Sequence, residues 1–188
     1  MKTVAIALVL SALAVPASAA VVWDEGVNGD LSSDAANPTA IVFANGSNTI
    51  SGIINGNPGI DRDFTTFTIG AGLMLSHVNL IVFSPDDIGF SAFNAGATSF
   101  VPSGSTNGSF LSGIHLDGLD VGMDLIPFFD TRSVTTNSLP APNLGPGTCC
   151  WLIQQTGPLT QAYTVEFVVE PGMPVDPATW GNVKALYR

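Results

Sequence analysis

Gly59–Gly72 reads GIDRDFTTFTIGAG: an acidic turn, a run of alternating residues, and a glycine pair that ends it. Thr65, Phe67 and Ile69 fall on one face of this run, and Phe64, Thr66 and Thr68 on the other, because successive side chains of a strand point to opposite faces. The same period returns near the far end of the chain. In AYTVEFVV (162–169), Tyr163, Val165, Phe167 and Val169 make an inward row, with Thr164 and Glu166 outward. TAIVFA (39–44) sets Ile41 and Phe43 on alternate positions. HVNLIVF (77–83) is apolar on both faces apart from Asn79, which predicts a central strand. Asn28-Gly29, Asn45-Gly46, Asn55-Gly56 and Asn107-Gly108 are hairpin signals, since both residues accept positive φ. Pro140, Pro142 and Pro146 make Ser138–Thr148 a loop. Short strands bounded by turns, with no long helical period, predict an all-β antiparallel sandwich of jelly-roll type.

The first residues address the compartment. Lys2 precedes an apolar run from Val4 to Val15, and small residues end at Ala17-Ser18-Ala19. This is the layout of a secretory signal peptide, residues 1–19, cleaved before Ala20. The apolar run falls short of the roughly 20 residues a membrane span needs, and no later run reaches that length, so no membrane span is expected in the mature chain. Cleavage leaves 169 residues, enough to bury a core within one domain. Without Lys2, four basic residues face fifteen acidic ones, a net charge of −11. Such a chain repels nucleic acid and anionic lipid, and neither is expected as a partner.

DRDFTTFTIGAGLMLSHVNLIVF (61–83) resembles the D-x-D-x-F-x-F-T-I-P-A-G-x-x-L opening of the pre-peptidase C-terminal type of bacterial β-sandwich. CCWLIQQTGPLTQAYTVEFVV (149–169) resembles its closing hairpin. SPDDIGFSAFNAG (84–96) and VGMDLI (121–126) are similar to exported proteins of the PEP-CTERM-sorted kind that carry this module. The likeness covers most of Gly59–Glu170, and its motifs form a fold more than an activity. It implies an exported β-sandwich module. PEP-CTERM proteins end in Val-Pro-Glu-Pro, a membrane-spanning helix and a basic tail. This chain instead reads VEPGMPVDPATWGNVKALYR (169–188) and lacks that anchor.

Candidate chemistry is sparse. Asp61 and Asp63, two apart at a strand entrance, share one face, where an oxygen-loving cation such as Ca²⁺ could use them. The plainer reading is preferred: Asp61 bonds its own backbone in a turn, and Asp63 faces water, Arg62 or another cation. No cofactor is therefore expected, Ca²⁺ being the one ion the pair could hold. In HLDGLDVGMD (115–124), Asp117, Asp120 and Asp124 lack the spacing of an EF-hand. A turn-rich crossover is expected there, with the acids outside and Leu116, Leu119 and Leu125 inside. His77 and His115 are far apart in sequence, and neither G-x-S-x-G nor H-E-x-x-H is present. The reading is therefore not an enzyme.

Cys149-Cys150 would reach an oxidising compartment, where thiols usually pair. Adjacent Cα atoms lie about 3.8 Å apart, below the usual separation in a disulfide. A vicinal bridge would break the strand. The alternative is one buried thiol and one exposed thiol that could link two chains. Residues 20–170 form the sandwich domain in this reading, and 171–188 a linker and tail. Asp176 and Pro177 start a short C-terminal amphipathic helix in which Trp180, Val183 and Tyr187 are candidate recognition residues. The sequence thus points to a secreted, non-catalytic accessory or binding module, extracellular or at the bacterial cell surface, with an unidentified partner there. A Ca²⁺-assisted carbohydrate or ligand binder is the runner-up, and a hydrolase whose site assembles only in space is the third reading.

Overall fold

The computed structural model describes residues 19–56, 61–97, 111–135 and 144–172. The expected signal peptide up to Ser18, Asn107-Gly108, Pro140 and Pro142, and the tail with Trp180, Val183 and Tyr187, lie outside them.

Nine strands are described: β1 (Ala20–Asp24), β2 (Thr39–Ala40), β3 (Gly46–Ile54), β4 (Arg62–Ile69), β5 (Leu73–Ser84), β6 (Gly89–Ala95), β7 (Ser112–Leu116), β8 (Gly147–Gln155) and β9 (Gln161–Pro171). Two short helices join them, α1 (Glu25–Asn28) and α2 (Ile126–Thr131), with a 3₁₀ turn at Gly118–Asp120. The sheets have the orders β1-β3-β9-β5 and β2-β4-β8-β6-β7. From β3 to β6 the chain changes sheet at every step, and β8 and β9 then fill the centres of the two sheets. This is the all-β sandwich expected, with jelly-roll winding.

Alternation builds the core. Tyr163, Val165, Phe167 and Val169 of β9 are all buried, as are Asp63, Thr65, Phe67 and Ile69 of β4. They meet around an aromatic centre in which Trp151 crosses Phe167 edge-on at 5.0 Å between centroids. The Trp151 indole N–H donates to Ser91 Oγ at 2.8 Å, so its one polar atom is satisfied in the interior. Sheet β2-β4-β8-β6-β7 also carries a smaller apolar cluster on its outer face: Phe64, Ala92, Cys150 and Leu152 with Ala35.

The structure corrects several expectations. HVNLIVF is not central: β5 ends its sheet. The crossover covers part of that edge, with Gly122 N donating to Leu80 O, Leu80 N to Met123 O and Leu125 N to Val78 O, while Ile81 and Val82 stay exposed. Pairing is not wholly antiparallel, since β1 runs parallel to β3 and β2 parallel to β4. None of the described Asn-Gly pairs closes a hairpin between paired strands. Gly29 ends α1 at φ +88°, Gly46 opens β3, and Asn55-Gly56 follows β3 on the way to the other sheet. In the crossover Leu116 and Leu125 are buried, but Leu119 is 80% exposed. Asp120 takes the inside place instead, held by Arg132 Nη1 at 2.6 Å.

Candidate metal centre

β1 lies beside β3 from Ala20↔Asn48 to Asp24↔Ser51. It thereby delivers Glu25 to the end of the sandwich where β3 finishes. Asp24 Oδ1 accepts from Gly26 N at 2.9 Å and caps α1. The chain turns there, and the Glu25 carboxylate reaches back to the sheet. Its Oε2 accepts from Ile53 N at 2.7 Å and its Oε1 from Leu31 N at 3.0 Å. Asp63, the first inward residue of β4, is fully buried. Its Oδ2 accepts from the Tyr163 hydroxyl at 2.6 Å, while Oδ1 has no hydrogen-bond partner among the described residues. One carboxylate oxygen each from Glu25, Asp30 and Asp63 lies within 4.8 Å of the others.

Gly52 makes this approach possible. A Cβ there would stand 2.6 Å from the Tyr163 hydroxyl oxygen and 2.7 Å from the Glu25 carboxylate. No side chain fits, so the acidic groups close over bare backbone of β3.

Burial pushes the Asp63 carboxyl up to about 9, against the lowering effect of the Tyr163 hydrogen bond, and the charges of Glu25, Asp61 and Asp30 add to the rise. Glu25 is raised by burial as well, partly offset by its backbone hydrogen bonds. Burial, then the charge of Asp30, raises Asp61. Burial and the neighbouring Asp63 raise the Tyr163 hydroxyl. These shifts share one sense: negative charge is crowded where water is scarce. A divalent cation reverses that cost, and its hard-oxygen preference matches the donor set. Three carboxylates supply up to six oxygens, within the 6–8 that Ca²⁺ takes once water is counted.

Of the two acids singled out in the sequence, Asp63 belongs to this trio and Asp61 does not. Asp61 sits beside it, accepting from Ser33 Oγ at 3.3 Å and Asn55 Nδ2 at 3.4 Å. The preferred reading of Asp63, facing water or Arg62, is corrected: Arg62 Nε donates to Gln154 Oε1 instead. Glu25 and Asp30 were not singled out. The usable signal was the phase of β4, which puts Asp63 in the inward row of Thr65, Phe67 and Ile69.

The other candidates lie elsewhere. His77 is on β5, with Nδ1 2.8 Å from Asp124 Oδ2, and His115 is on β7 of the opposite sheet, beside Phe90. Neither has a serine or cysteine partner among the described residues. Cys149 and Cys150 are unbridged. Both are buried, correcting the expectation of one exposed thiol: Cys149 joins the main core, and Cys150 the outer cluster, where its Sγ lies 3.0 Å from Gly96 O. Strand alternation separates them, and each face has its own apolar cover. No helix among the described residues is long and apolar enough to cross a membrane.

No protein-family model matches the chain, and no curated protein matches it.

Proposed function

We propose that this protein is an exported, non-catalytic β-sandwich module, extracellular or at the bacterial cell surface, and that Glu25, Asp30 and Asp63 hold a divalent cation of the Ca²⁺ class. One observation carries the cation: a fully buried carboxylate oxygen, Asp63 Oδ1, without a hydrogen-bond partner among the described residues, beside two further carboxylates. A buried acceptor left unpaired costs about 1–3 kcal/mol. A coordinated cation removes that cost. The resemblance to pre-peptidase C-terminal modules supports export and a binding role. So does the start of β1 at Ala20, the residue after the expected cleavage site. The separation of His77 and His115 on opposite sheets supports a non-catalytic role.

Thermal unfolding of the mature chain tests the cation. Ca²⁺ at a hundredfold excess over Kd stabilises by about 2.7 kcal/mol, which is roughly 5–10 °C for a chain of this size. Asp63→Asn should remove the response. Equal melting temperatures in Ca²⁺ and in chelator would refute the site. N-terminal sequencing of material from the medium tests export, and the first residue should be Ala20.

A further inference from the structure

A second feature occupies the same end of the sandwich. β4 enters at Arg62 opposite Gln154, β6 at Gly89 opposite both Gln155 and Leu116. Beside Gly89 and Leu116 lies an open cavity of about 460 Å³, lined among others by Ile88, His115, Asp117, Arg132, Thr156 and Gly157. Its volume lies within the range of small-ligand clefts. The turn at Gly157 is set firmly. A Cβ on Gly157 would lie 2.2 Å from Asp87 Oδ1, and one on Gly56 2.2 Å from Gly157 O.

The lining selects by charge. Arg132 is not a free cation, because Asp120 holds both of its terminal nitrogens, at 2.6 and 3.3 Å, and its guanidinium stacks over Phe128. Of the nearby acids, Asp117 lines the cavity, Asp120 is buried behind Arg132, and Asp86 Oδ1 accepts from Gly118 N next to Asp117. With Arg132 neutralised by Asp120, the Asp117 carboxylate disfavours an anionic ligand. Yet the wall offers a donor as well as acceptors: the Arg132 guanidinium N–H stands with the Asp117 carboxylate and the Thr156 hydroxyl oxygen, whose own proton goes to Ile88 O. An ammonium group would leave that guanidinium donor without use. Ile88, 54% exposed, adds an apolar surface.

We propose that this cavity binds a small neutral polyhydroxylated ligand, a pyranose sugar or a short chain of them. Each sugar hydroxyl both donates and accepts, and the C–H face of the ring suits Ile88. The proposal rests on reading the chain as a binding module, and it deepens that reading by naming a ligand class.

The test uses the ¹⁵N-labelled mature chain titrated with maltose, cellobiose and lactose, each in the presence of Ca²⁺ and of chelator. Inorganic phosphate and butylamine serve as the anionic and cationic probes. At least one sugar should shift the amide resonances of His115, Asp117 and Gly157. Ile88→Ser should weaken that sugar at least tenfold, as should Asp117→Asn. Both variants should keep the parent melting temperature, since Ile88 is exposed and Asn can also cap the 3₁₀ turn. No shift with any of the three sugars overturns the proposal, as does a response at these residues to phosphate or butylamine alone. Sugar shifts that both variants leave intact overturn it too. The Ca²⁺ dependence of melting, read on the same samples, reports separately on the acidic trio. Failure there leaves the sugar result to be judged by its own shifts.

Discussion

The Tyr163 hydroxyl donates to Asp63 Oδ2 at 2.6 Å across the interior, from the centre of one sheet to a strand of the other. The two strands share no ladder, so this contact ties the layers together at the acidic end. Tyr163→Phe removes the one donor Asp63 has among the described residues. In chelator the loss should be about 1–3 kcal/mol by urea unfolding. In saturating Ca²⁺ it should shrink, because the cation then holds the carboxylate. An equal loss in both conditions would separate Asp63 from the cation.

The pH dependence in chelator has a definite sign. Asp63 is raised to about 9 in the folded chain from an ordinary 3.8. Between those values the folded state holds a proton that the unfolded state has released. Its contribution to stability is complete below about pH 4 and is lost as pH rises towards 9. The slope is about 1.4 kcal/mol per pH unit for one such proton. Glu25 and Asp61, also raised, act in the same sense. Denaturant midpoints in chelator should fall from pH 5 to pH 8, more steeply for the parent than for Asp63→Asn. A flat profile for the parent would contradict the burial of an ionisable Asp63.

Gly52→Ala places a methyl group against the Tyr163 hydroxyl and the Glu25 carboxylate. The neighbours are held by hydrogen bonds to Asp63 and to backbone at Ile53 and Leu31. Overpacking of this kind costs about 1–3 kcal/mol. Because Glu25 must move, the melting response to Ca²⁺ should weaken with it. Gly145→Ala, at a site with nothing within 4 Å, serves as control and should change neither quantity.

The two thiols should behave as core residues. Cys149, its thiol raised by burial, and Cys150 lie under different apolar layers. A thiol reagent should label neither in the native chain and both after unfolding, and the intact mass should be that of two thiols. Labelling of one residue in the native state would restore the reading of an exposed partner-linking cysteine.

Strand phase was legible wherever a segment had one wet face. Tyr163–Val169 and Asp63–Ile69 follow their two-residue period because a register slip would turn the whole row out of the core. Edges were less legible. HVNLIVF has the composition of a buried strand, yet Ile81 and Val82 are exposed, and its edge is paired at Val78 and Leu80 by a turn-rich crossover whose backbone pairing leaves no mark in side-chain pattern. Leu119 and Asp120 exchanged expected places for a related reason: the capping of the 3₁₀ turn by Asp117 fixed the chain direction there, and Arg132 supplied Asp120 with a partner. The acidic site was half legible. DRD drew attention to Asp63, whereas Glu25 and Asp30 reach it only through the parallel docking of β1, which no local spacing encodes.

The order of strands also sets when this chain can fold. β8 and β9 are the last two strands described, yet they occupy the middle of both sheets, between β4 and β6 and between β3 and β5. A growing chain that has made only β1 to β7 can pair β1 with β3, β2 with β4 and β6 with β7, but it lacks the centre of either sheet. Such non-local pairing is slow to begin. The complete pair of sheets can therefore close only after β8 and β9 have been made.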